Sequence, residues 1–181
     1  MAKNQIENRN FLSPTGFRFI LNRSPKTAFF CNQANIPDLT LSIATQSSRL
    51  GRDIPQPGNK LEFGDLNLRF LVDENLENYM EIQNWLRGLG YPNDLRQLYD
   101  LQKDNILIND SKSMNIYSDG TLMILSNSNI SNYQVRFKGL FPYTLSTLNY
   151  DATQTDIEYF TADVSFKYDI YTLVNMNGEE L

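Results

Sequence analysis

Apolar and polar positions alternate with a period of two in several stretches of this chain. Phe17, Phe19 and Leu21 interleave with Arg18, Ile20 and Asn22, and Ala28-Phe29-Phe30-Cys31 follows across the turn residues Ser24-Pro25. This spacing predicts two adjacent strands. Leu66, Leu68, Phe70 and Val72 alternate with Asn67, Arg69 and Leu71, and Tyr133, Val135 and Phe137 alternate with Gln134, Arg136 and Lys138 up to Gly139. Both runs predict half-buried strands. The longest alternation puts Phe160, Ala162, Val164, Phe166, Tyr168 and Ile170 on one side and Thr161, Asp163, Ser165, Lys167 and Asp169 on the other. It predicts one continuous strand with a dry face and a wet face. Asp119-Gly120 between Met114–Tyr117 and Thr121–Leu125 predicts a hairpin turn.

Only one long stretch has the helical period. Leu76, Tyr79, Met80, Ile82, Trp85, Leu86 and Leu89 recur at spacings of three and four. They predict a helix led by Asp73, running to about Arg87 and stopping at Gly88-Leu89-Gly90, with Trp85 in the core and Glu77, Glu81 and Gln83 in water. A second short helix is expected after Pro92-Asn93, holding Leu95, Leu98 and Tyr99. Residues 35–60 carry Pro37, Pro55, Pro57, Gly51 and Gly58 among many Ser, Thr and Gln. They predict an extended or irregular arm, with Arg49, Arg52 and Lys60 as candidate contacts to another subunit. The expected fold class is mainly β (α+β), antiparallel and sandwich- or barrel-like with one packed helix. Residues 1–181 are expected to form a single domain with the arm at about 35–60 and an insert at about 91–113.

Composition narrows the chemistry. There is no histidine, which removes Ser-His-Asp and Cys-His nucleophile systems and histidine-ligated zinc. The single cysteine, Cys31, lies in an apolar run and reads as a buried, inert thiol. No glycine pattern matches a phosphate loop, and Asp73-Glu74 and Asp100 with Asp104 lack calcium-loop spacing, so no cofactor or metal is expected. A pair of distant carboxylates drawn from Asp73, Asp119 and Asp163 stays open as an acid–base alternative. So does a monomeric β-barrel carrier of a small apolar ligand, given 11 Phe and 10 Tyr. Residues 1–60 hold eight basic and three acidic side chains, and residues 61–181 eight basic and eighteen acidic ones. That asymmetry suits either internal neutralisation or head-to-tail self-association, and the overall charge of −5 suits no strong grip on nucleic acid. The N-terminus has no apolar signal region and no stretch is long enough to span a membrane, so a protein made in a cytoplasm is expected.

Two blocks carry a family resemblance. One is Phe137-Lys138-Gly139-Leu140-Phe141-Pro142, then Leu145–Asp151, then Ile157–Tyr168; the other is Leu68–Glu74 followed by the helix with Gln83-Asn84-Trp85. In this order they resemble the tail tube proteins of T4-like contractile bacteriophages. The resemblance implies a non-enzymatic virion protein of the phage tail, assembled in the host cytoplasm, whose strands continue between subunits in a hexameric ring. Rings stack into a tube that DNA crosses without specific binding. Implied partners are sister copies, sheath and baseplate hub, with no membrane. The tube and its baseplate initiator are both compatible, and a secretion-system ring of the same fold is a near alternative. On this reading Thr161, Asp163, Ser165, Lys167 and Asp169 are candidates for channel-facing positions.

Overall fold

The computed structural model describes residues 12–48, 51–103, 116–151, 153, 159–175 and 178–180. The elements are β1 (Phe17–Leu21), α1 (Pro25–Phe29), β2 (Cys31–Ala34), β3 (Leu39–Gln46), β4 (Ile54–Phe63), β5 (Leu66–Leu71), α2 (Glu77–Gly90), α3 (Arg96–Lys103), β6 (Ser118–Leu125), β7 (Ser131–Leu145), β8 (Thr161–Lys167) and β9 (Ile170–Asn175). Seven strands form one antiparallel sheet in the order β1-β6-β7-β8-β5-β2, with β9 also on β7, and β3 and β4 form a separate two-stranded ribbon. The architecture is therefore the expected mainly antiparallel β arrangement with α2 as its packed helix; α1 was not foreseen. The sheet curls without closing into a barrel: β1 and β2 end the strand order and do not pair with each other.

The 15-residue β7 ties the sheet together by serving two leaves. Its first part, Ser131–Leu140, pairs with β6, and Tyr133–Lys138 also pairs with β9. Past Gly139 it pairs with β8 through Phe141–Leu145. Gly139 has φ +67, a left-handed conformation that a side chain disfavours, and a Cβ there would stand 2.8 Å from Asp169 Cγ. The alternation suggested a strand end at Gly139; the glycine instead bends a strand that continues to Leu145. Gly139→Ala is expected to cost about 1–2 kcal/mol from the left-handed backbone alone, read as a melting temperature lower by several degrees.

Several other sequence expectations are corrected. Ser24-Pro25 starts a one-turn helix and not a hairpin, because Pro25 suits the first helical position and Ala28 N–H finds Ser24 O at 3.2 Å. β1 and β2 consequently lie at opposite ends of the sheet. Asp119 and Gly120 stand inside β6, where a Cβ at 120 would lie 2.5 Å from Leu140 Cδ1 and 3.2 Å from Phe19 Cζ. The glycine there permits close packing, not a turn. The final strand is broken at Tyr168-Asp169 into β8 and β9, following the bend in β7, and Phe160 and Ile170 at the ends of its apolar side are exposed. The arm is not irregular. It is a ribbon in which Leu39 faces Phe63, Leu41 faces Leu61 and Ile43 faces Pro57. Pro55 and Pro57 are tolerated because β4 has one strand partner among the described residues, leaving its other margin without a donor to lose.

α2 begins later than expected, at Glu77, whose N–H donates to Asp73 Oδ1 at 2.7 Å, and it continues through Gly90. Gly88 stays helical because Leu101 of α3 packs directly on it. Glu81 is half-buried, accepting a hydrogen bond from Ser24 Oγ. Trp85 does enter the core, its ring centroid 6.0 Å from that of Phe166 and its Nε1–H donating to Ile116 O at 2.8 Å. The core around it draws Phe19 and Leu21 from β1, Leu66, Leu68 and Phe70 from β5, Val135, Phe137 and Leu140 from β7, and Ala162, Val164 and Phe166 from β8. The part of the predicted insert that is described, residues 91–103, carries α3; residues 104–113 and Met114-Asn115 lie outside the described residues, as do Asp104, Arg49 and Ile157-Glu158. No described helix is long and apolar enough to cross a membrane.

Candidate assembly surfaces

The second leaf, β7(141–145)-β8-β5-β2, has one face in the core and one polar face. Thr161, Asp163, Ser165 and Lys167 project from β8 on the polar face, while Ala162, Val164 and Phe166 face inward. In register, Asp163 faces Arg69 and Ser165 faces Asn67 on β5. Arg69 Nε donates to Asp163 Oδ1 at 2.7 Å and Nη2 to Oδ2 at 3.2 Å, a forked pair that raises the guanidinium pKa. Ser165 Oγ–H donates to Asn67 Oδ1 at 2.7 Å. Lys167 pairs with Asp65 and lies over the Tyr143 ring, 5.5 Å from its centroid, while Tyr143 O–H donates to the same carboxylate. Asp169 is not on this face, since it sits in the turn between β8 and β9 against Gly139. The wet-strand positions foreseen from alternation are thus four together and one apart. Asp65, Asn67, Arg69 and Tyr143 join them, and for Asn67 and Arg69 the period of two in β5 was the available signal.

Each cation on this face stands against a carboxylate, so the face carries charge without a strong net field. Lys167, then Tyr143, hold the Asp65 carboxyl below its ordinary pKa of 3.8. A depressed carboxylate contributes stability above its ordinary pKa and loses it as pH falls through the depressed one. Asp65→Asn should therefore melt lower than the parent near neutral pH, with the difference shrinking only below the ordinary pKa of 3.8 and vanishing once pH has fallen through the depressed one; an undiminished difference in strong acid would contradict this.

Both margins of this leaf are open among the described residues. β2 pairs only with β5, and β7 beyond Leu140 pairs only with β8. Unpaired margins invite a further strand.

The arm is the second surface. Its root is fixed: Phe63 packs edge-on against Tyr168 and Tyr171 at 6.1 and 5.5 Å, Tyr168 O–H donates to Gly64 O at 2.9 Å, and Gly64 N–H donates to Asp38 O at 3.0 Å. Burial pushes the Tyr168 phenol up to about 12, so it remains a donor. Beyond the root, one face bears Leu39, Leu41, Ile43 and Leu61, which are 51%, 47%, 71% and 49% exposed. A ribbon with an apolar face in water is unstable by itself and needs a cover. Arg52 and Lys60 are exposed on this arm, Lys60 on the polar face with its N–H on Ser42 Oγ at 3.1 Å. The Leu39-Leu41-Ile43 alternation was present in the sequence but submerged among prolines and small polar residues.

The remaining candidate groups have structural partners. Asp73 caps α2, Asp119 Oδ1 accepts from Gly139 N–H at 3.3 Å, and Asp163 holds Arg69, so the three carboxylates serve three separate tasks. Cys31 is half-buried, less enclosed than its apolar run suggested, and burial pushes its thiol up to about 11.

The model of a family described as phage tail tube protein matches residues 9–174. No curated protein matches the chain. A solved structure of the anti-feeding prophage tube-terminating cap is similar at 14% identity, covering 97% of this chain and 99% of that one, with a TM-score of 0.63. A chain from the sheath–tube complex of the extracellular contractile injection system PVC, in its extended state, has 15% identity, coverage of 97% and 99%, and a TM-score of 0.57. One from the six-fold symmetrised anti-feeding prophage baseplate has 12% identity, coverage of 88% and 91%, and a TM-score of 0.54.

Proposed function

This chain belongs to the phage tail tube protein family, a structural protein and not an enzyme, and from that premise we propose that it is a ring subunit of a contractile tail or injection particle. Six copies join margin to margin, β2 of one beside β7(141–145) of the next, so that the second leaf becomes a continuous wall. The observation that carries this reading is the four-stranded leaf with both margins open and a single polar face. Six such leaves supply about 24 strands, which at ~4.8 Å spacing make a wall about 37 Å across at the backbone even without tilt, wide enough to pass a DNA duplex.

On this reading Thr161, Asp163, Ser165 and Lys167 face the bore, with Asp169 at its rim. A lining of paired ions leaves a DNA phosphate backbone no array of free cations to bind, so the duplex slides, whereas unpaired lysines and arginines would hold it. The arm, with Arg52, Lys60 and Arg49, reaches a neighbouring copy, and the helices are left for contacts with sheath or baseplate. The particle is assembled in the host cytoplasm and the protein resides in its tail.

Negative-stain microscopy of the purified protein at high concentration tests the proposal. Six-fold annuli or stacked tubes are expected; solitary particles at every concentration, also in the presence of tail-end proteins, would overturn it. Copy number in purified particles separates a tube subunit, present many times, from a tube initiator or a terminator, present in one ring.

A further inference from the structure

Two apolar features of this chain lack partners among the described residues, and they fit each other. One is the arm face with Leu41 and Ile43. The other is a recess of about 400 Å³ between the outer margin of β1 and α1, walled by Phe17, Ile20, Pro25, Ala28 and Cys31, with Arg18 at its side. The recess lies at the seam where the sheet stays open between β1 and β2. Toward the seam β1 has no strand partner among the described residues, so an incoming strand meets free N–H and C=O groups as well as apolar walls. No arm residue lines the recess of its own chain, and the arm's root is held elsewhere, on Tyr168 and Tyr171.

We propose that the arm of one copy lays Leu41 and Ile43 into the β1–α1 recess of a second copy, extending the sheet at β1. The arm's apolar face, from Leu39 and Phe63 at the root to Thr45 and Pro55 near the tip, carries no charged side chain that would have to be desolvated in such a seat. One contact thus covers an exposed apolar ribbon and occupies an open strand margin. It deepens the ring reading, on which it rests, by naming the surface that receives the arm.

The chain's single cysteine lines the recess and supplies the test. Ile43→Cys places a second thiol on the exposed arm. Copper–phenanthroline oxidation of the concentrated protein at mildly alkaline pH should convert most of it to a ladder of covalent dimers and longer species. The parent and the Ile43→Cys/Cys31→Ser double variant should give none. The double variant has one thiol per chain, so disulfide dimers forming in it mean that arm meets arm, and overturn the proposal; so does a missing ladder in Ile43→Cys protein. Ala28→Trp, which fills the recess, should reduce the ladder at least tenfold while the circular dichroism spectrum is retained, and an undiminished ladder counts against the seat. Annuli without a ladder defeat the docking alone, a ladder without annuli defeats the ring alone, and neither defeats both.

Discussion

Replacing Leu41 and Ile43 together by aspartate should abolish self-assembly and leave the subunit folded. Both side chains are exposed in the single chain, so neither contributes much to its core, and the melting temperature should move by no more than a few degrees. In an assembled interface the account reverses. Completing the burial of two half-exposed aliphatic side chains is worth about 2–3 kcal/mol, and burying two unpaired carboxylates in their place costs several kcal/mol more. A loss above about 3 kcal/mol per contact raises the concentration needed for assembly by at least ~100-fold. Sedimentation velocity across a concentration series reads this directly. The control is Thr40→Asp and Gln56→Asp on the polar face of the same ribbon, which should assemble like the parent. Equal assembly by the apolar-face variant would mean that the arm stays in solvent.

The second large effect is on folding. Trp85→Ala removes the largest fully buried side chain, 1% exposed, together with its ring contact to Phe166, the cation seat for Arg23 at 5.1 Å and the Nε1–H bond to Ile116 O. Truncating a buried aromatic of this size costs about 3–5 kcal/mol. For a chain of this length that is a fall of roughly 6–20 °C in melting temperature. Trp85→Phe should recover part of it, keeping the apolar fill but leaving the Ile116 carbonyl without its donor. The loss should appear in dilute and concentrated protein alike, because Trp85 anchors α2 within one chain. Loss at high dilution only would assign the residue to an interface instead.

Much of this architecture was legible in the alternation itself. Leu66–Leu71 and Thr161–Lys167 show their buried and exposed sides residue by residue, because a pleated strand packed on one side must repeat every two positions. The helix bearing Trp85 was legible for the matching reason at a period near four, although its start was displaced. There the chain spends Asp73 as a side-chain acceptor one turn before the helix, with Leu76 in a left-handed conformation at its entry. Local residue preference did not reveal that entry.

Glycine shows where such reading fails. Asp119-Gly120 has the composition of a turn, yet the structure keeps it in a strand because Phe19 and Leu140 crowd that point from the neighbouring strands. Gly139 has the look of a strand end and is a bend, because β7 must serve β6 and β9 before it and β8 after it. Both outcomes depend on residues distant in the chain, and no window of sequence contains them.

By itself, the sequence determined the β-rich class, the faces of the individual strands, the helix that fills the core and the absence of histidine-based chemistry, since each follows from local period or composition. Tertiary structure alone decided that β1 and β2 end the strand order without pairing to each other, that Asp65 and Lys167 meet across the polar face, and that the arm holds Leu41 and Ile43 out in solvent. Pairing and burial are properties of partners brought together by the whole chain, and a strand's own residues do not say which neighbours it will have or lack.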